Sequence, residues 1–130
     1  MFGSDMDREQ ILTDIRPDIV SATFDEVTSE QEKLQNQVLR PIIKFQHEFL
    51  LVYFSQYLIK HKRDIKATDM ATRIQIVEKL LQSDIPLRNV LIGSIIGFMT
   101  QQEVIKYYKY ESELRNRIVH MIAGRLAEAI

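Results

Sequence analysis

The chain has 130 residues, 45% of them hydrophobic and 27% charged, with 17 Lys and Arg against 18 Asp and Glu. That length fits one domain with a self-sufficient core. It contains no cysteine, which excludes disulfides, thiolate catalysis and thiolate metal sites.

The net charge of −1 conceals an asymmetry: residues 1–35 carry nine acidic and three basic side chains, residues 36–130 nine acidic and fourteen basic. An acidic, irregular leader (1–28) therefore precedes a mildly basic helical domain (29–130). It either rests on that domain or shields a basic surface meant for an anionic partner. Residues 1–10 lack the basic and apolar regions of a signal peptide. The longest apolar runs, 49–54 and 90–99, fall far short of the roughly 18–20 residues that span a bilayer. A cytoplasmic protein without a membrane segment is expected. Within the leader, 7–15 reads as a short helix that Arg16-Pro17 must end, because the residue before proline avoids the α region. Residues 19–24 read as extended chain lying in a groove of the same or a neighbouring subunit.

Ser29 with Glu32 has capping-box spacing, and Leu34, Val38, Ile42, Phe45, Phe49 and Val52 follow at helical intervals. Pro41 removes a backbone donor inside this pattern, which predicts a kink or restart. The unbroken apolar run 49–54 predicts a central helix touched on several sides. Residues 61–67 are polar and basic, hence a loop. Thr68 opens a second helix with Met70, Ile74, Val77 and Leu81 on one face. A break at 83–86 starts a third, with Pro86 near the first helical position. Its segment 90–99 reads as buried on all sides, with Gly93 and Gly97 where another backbone approaches. Thr100 with Glu103 forms a second capping box. The last helix carries Val104, Tyr107, Leu114, Ile118, Met121, Ile122 and Leu126 on one face. No strand pattern of comparable quality occurs, so the prediction is an all-α, compact, four-helix-bundle-like domain.

Four residue sets could carry chemistry or binding. Tyr107, Tyr108 and Tyr110, interleaved with Lys106 and Lys109, form the preferred interaction surface, since tyrosine offers large contact area at low entropic cost. The competing reading buries one tyrosine and packs two at the bundle edge. His47, Glu48, Tyr53 and His120 form a candidate pocket or metal set assembled across helices, although neither Glu-x-x-His nor His-x-x-x-His spacing is present. Lys60, Lys62, Arg63 and Lys66 form a candidate anion site, diluted by Asp64. Glu113, Asn116, Arg117 and His120 share one helix face that reads as solvated. Phosphate loops, nucleophile elbows and metalloprotease signatures are missing.

LRPIIKFQHEFLL (39–51) together with LRNVLIGSIIGFMT (87–100) resembles a set of short, uncharacterised, all-helical bacterial proteins, some automatically labelled "glyoxalase". The likeness runs from about Asp14 onward and rests on packing motifs. It implies a helical fold and carries over no catalytic residue. Both common glyoxalase folds are rich in strands, and the His-x-His-x-Asp-His signature of the hydrolase type has no counterpart here.

The sequence thus favours a protein of unknown function acting as a non-enzymatic helical interaction and self-association module. It would form a homodimer or bind another protein and need no cofactor. The first alternative is a small-molecule or metal-dependent enzyme with a pocket between helices. The second is an anion or nucleic-acid binder through residues 60–66, with nucleic acid disfavoured.

Overall fold

Short polar side chains precede most of the apolar runs, and the chain uses them as helix starts. The computed structural model describes residues 7–17, 29–66 and 69–130. Among these, all regular structure is helical, so the protein is all-α. The elements are α1 (Arg8–Asp14), α2 (Glu30–Lys33), a π-helical stretch (Leu34–Leu39), α3 (Arg40–Phe45), α4 (His47–Lys60), α5 (Met70–Ser83), α6 (Ile85–Ile96), α7 (Gln101–Tyr108) and α8 (Glu111–Glu128). The side chains of Asp7, Ser29, Asp69, Asp84 and Thr100 each accept from an amide three residues on, satisfying an otherwise orphan donor. At α7 the reciprocal bond from the Thr100 amide to Glu103 completes the capping box. Thr68 and the expected extended segment 19–24 lie outside the described residues.

The first long helix is broken twice. Pro41 cannot donate to residue 37 and crowds its carbonyl. The chain widens into π turns before it, and the Arg40 amide reaches back five residues to Gln35. The helix then breaks again at Gln46 (φ −87°, ψ 5°). Together these shift the helical phase. Leu34, Val38 and Ile42 are buried as expected, but Phe45, Phe49 and Val52 turn outward, and Leu50 and Phe54 take the inner positions. The expectation that 49–54 is enclosed on several sides is therefore corrected: α4 is covered on one side.

The predicted enclosure of 90–99 also needs correction. Leu87, Leu91, Ile92, Ile95 and Met99 are buried, whereas Val90, Gly93 and Gly97 are exposed. The last expected helix is divided at Lys109–Tyr110, where two short i→i−3 bonds tighten the chain between α7 and α8. The helix surrounded by others is α8. It packs most extensively along α5 and also against α4, α6 and the π-helical stretch. Its inner face holds Leu114, Ile118, Ile122, Ala123, Leu126 and Ala127, and the two alanines allow close approach of neighbouring backbones.

Helix α1 docks on its own chain. Leu12 is buried, Arg8 donates to the Gly97 carbonyl at 2.9 Å, and Glu9 accepts from the Gln101 amide at 2.8 Å. Arg16 holds Glu103 and the Phe98 carbonyl. The leader's described part thus grips the turn between α6 and α7.

Candidate interaction surface

Helices α4 and α6 run antiparallel and are pinned at both ends. Gln46 Nε2 donates to the Ser94 carbonyl at 3.0 Å, and the Tyr57 hydroxyl donates to Asp84 Oδ2 at 2.5 Å. Asp84 also caps α6 through the Leu87 amide at 3.1 Å. The Tyr57 and Leu87 bonds hold the Asp84 carboxyl below its ordinary value. Burial and the bond to Asp84 push the Tyr57 phenol up. His61 lies against the Tyr57 ring, centroids 4.3 Å apart.

Residues 46, 49, 53 and 57 fall on one side of α4, so Phe49 and Tyr53 line the α6 side between the two pins. On α6, Val90 precedes Ser94 by one turn, and Pro86, Val90, Gly93 and Gly97 share the outward face. Phe45 continues the surface at its far end, its ring 5.6 Å from that of Phe98. Exposure remains 43% for Phe45, 42% for Phe49, 61% for Val52, 36% for Tyr53 and 40% for Val90. None of the exposed residues of α6 is charged. On α4 the charged Glu48 and Lys60 stand near the ends of the helix, with the uncharged Gln56 between them. A group of exposed apolar side chains on neighbouring helices, poor in charge, has the composition of an interface core.

The tyrosine set is dispersed. Tyr107 is a core residue, 1% exposed, and burial pushes its phenol up to about 12. Among the described residues its hydroxyl makes no hydrogen bond of good geometry, although the Arg115 guanidinium works against burial to hold the phenol down; its ring meets Tyr108 edge-on. Tyr110 is half-buried and, with Lys109, reaches Glu30 at the start of α2. Tyr108 and Ile105 stay exposed, at 65% and 59%, beside the exposed Lys106.

The candidate pocket set is likewise separated. His47 Nδ1 accepts from Arg125 at 3.1 Å, on the α4 side of α8. His120 pairs with Glu78 of α5 at 2.6 Å. Glu48 and Tyr53 lie on the outer face of α4, Tyr53 with its ring near that of Phe49. Among the described residues, no three His, Asp or Glu side chains converge to hold a metal ion. Glu113, Asn116, Arg117 and His120 are all exposed.

Lys60, Lys62, Arg63 and Lys66 are exposed, and Lys66 stands 3.8 Å from Asp64. The amides of Lys62 and Arg63 close the end of α4, bonding to Ile59 and Leu58. Lys62 adopts a left-handed conformation, φ 52°. This is a Schellman motif with lysine where glycine is favoured. Arg63, Asp64 and Ile65 then line an open groove of about 520 Å³ with Ile76, Lys79, Leu80 and Ser83 of α5. Its two cations face one carboxylate and an apolar floor.

No helix among the described residues is long and apolar enough to cross a membrane. Compared with family models, curated proteins and solved structures, the chain matches none.

The residues that sequence reasoning misplaced are Phe45, Phe49, Val52 and Tyr53 on α3 and α4, and Val90, Gly93 and Gly97 on and just after α6. Their signal was available as a geometric conflict. Two helices apolar all round cannot both be enclosed in a domain this small, because each needs neighbours on every side.

Proposed function

We propose that this chain is a non-enzymatic, cytoplasmic helical module that works by associating with protein. The observation carrying this reading is the charge-poor apolar surface formed by Phe45, Phe49, Val52 and Tyr53 with Val90. Leaving it in water forfeits stabilisation at about 25 cal/mol per Å² of apolar area, which an assembled state recovers. His47 and His120 engage different partners, Arg125 and Glu78, which supports this reading over a pocket built on both histidines.

Native mass spectrometry of the gently purified protein tests the reading. The expected result is a species heavier than the 15.3 kDa chain, made of protein alone. A single chain carrying the added mass of a metal or small molecule would overturn it in favour of the enzyme alternative.

A further inference from the structure

We infer that the partner on the α4–α6 surface is a second copy of this chain, seated so that the aromatic ridge of each copy enters the glycine groove of the other. The inference rests on the association reading above and names the occupant of that surface.

Gly93 carries the argument. Glycine inside a helix costs about 1 kcal/mol relative to alanine, so a buried neighbour ordinarily explains it. Here a Cβ built on Gly93 would meet nothing within 4 Å. Among the described residues nothing requires glycine at this position. What its absent side chain leaves is an open shelf along α6, bounded by Val90 on one side and ending one turn on at Gly97, whose carbonyl accepts from Arg8. At Gly97 a Cβ would stand 3.1 Å from the Gly93 carbonyl, so that glycine serves its own helix end. The two positions differ, and Gly93 is the one left without an internal reason.

The same face carries the complementary shape. Phe49 and Tyr53 stand partly exposed on the side of α4 that the two end bonds turn toward α6, with ring centroids 5.8 Å apart. A surface holding both a ridge and a groove pairs with itself about a twofold axis. One rotation places each ridge in the opposite groove, giving two equivalent contacts from one patch. Helix backbones that approach at glycine also gain packing and Cα–H···O contacts.

The area is adequate. At about 150–250 Å² for a full aromatic side chain and somewhat less for valine, the exposures of Phe45, Phe49, Val52, Tyr53 and Val90 amount to roughly 400 Å² of mostly apolar surface. Interfaces are roughly 57% apolar, so this corresponds to about 700 Å² per copy once a polar rim is included. Stable complexes bury about 800 Å² per partner. The exposed apolar pair on α7, Ile105 and Tyr108, supplies far less.

Sedimentation equilibrium of the full chain tests the inference, with Gly93→Leu, Gly93→Ala, Ile105→Lys and Tyr108→Lys as variants. The parent is expected to be a dimer. Gly93→Leu should raise the dimer Kd at least tenfold while circular dichroism shows an intact helical fold, since the new side chain points into open space. Gly93→Ala should weaken the dimer less while raising the thermal midpoint of the dissociated chain. The two α7 variants should leave the Kd within twofold. A dimer indifferent to Gly93→Leu, or one weakened by Tyr108→Lys, would overturn the inference. A parent that is a single chain here yet part of a heavier complex by native mass spectrometry would also overturn it, leaving the association reading intact. A single bare chain in both experiments would overturn both.

Discussion

Arg16 holds both carboxylate oxygens of Glu103, at 2.7 and 2.5 Å, across 87 positions of sequence. Both side chains are largely buried, and a third bond, from Arg16 Nη2, reaches the Phe98 carbonyl at 3.0 Å. Glu103 is also the carboxylate of the α7 capping box. One acidic side chain therefore fixes a helix start and anchors the leader.

Replacing Arg16 by Ala should release α1 and leave the rest of the fold in place. Removing one member of a charge-assisted pair costs about 2 kcal/mol. The loss should surface as hydrogen exchange of the Ile11 and Ile15 amides, which bond within and just beyond α1, while amides of α8 keep their protection. Unchanged exchange in α1 would show that the clasp does not hold it.

The same clasp predicts acid sensitivity. Burial disfavours a charged Glu103, but the bonds from Arg16 and the Thr100 amide outweigh it and hold the carboxyl below its usual 4.5. A carboxyl depressed in the folded state contributes stability that is complete above its unfolded value. That contribution is lost as pH falls through the lower folded value. The difference in urea midpoint between the parent and Glu103→Gln should therefore be largest near neutrality and shrink below pH 4.5. A difference independent of pH would contradict this account.

At the end of α4, Lys62 occupies a left-handed conformation, φ 52°, that costs a side-chain-bearing residue about 1–2 kcal/mol. Lys62→Gly relieves that strain while adding some freedom to the unfolded chain. The net expectation is stabilisation by about 1 kcal/mol in denaturant titration. Destabilisation would mean that the lysine side chain makes a compensating contribution.

Tyr107 is enclosed, and its hydroxyl makes no hydrogen bond of good geometry among the described residues. An unsatisfied buried polar atom costs about 1–3 kcal/mol, so Tyr107→Phe should be neutral or stabilising by up to about 1 kcal/mol. Tyr107→Ala, which empties the site, should cost about 3–5 kcal/mol. A loss above about 1 kcal/mol in the phenylalanine variant, against the expected gain, would show that the hydroxyl is satisfied after all.

The helical class was legible because caps and periodicity act locally. Asp7, Ser29, Asp84 and Thr100 each satisfy a nearby amide whatever the rest of the chain does. The face that α4 presents was not legible. It depends on how far the chain rotates through the π-helical stretch and the break at Gln46, and the fully apolar run at 49–54 gives no period from which to recover the phase. The division at Lys109–Tyr110 involves neither glycine nor proline. It follows from tertiary contacts, among them Tyr110 and Lys109 with Glu30. Gly93 and Gly97 read as sites where another backbone approaches, but among the described residues only Gly97 has a close backbone neighbour, the Gly93 carbonyl of its own helix, and sequence spacing does not distinguish a neighbour in the same chain from one in a second copy.

That last distinction is the central claim, and hydroxyl-radical footprinting of the full chain across a dilution series tests it most directly. As concentration rises, Phe49, Val52 and Tyr53 should become protected together, while Tyr108, 65% exposed on α7, stays equally reactive. Constant reactivity of the α4 residues at every concentration, or protection confined to Tyr108, would contradict the account.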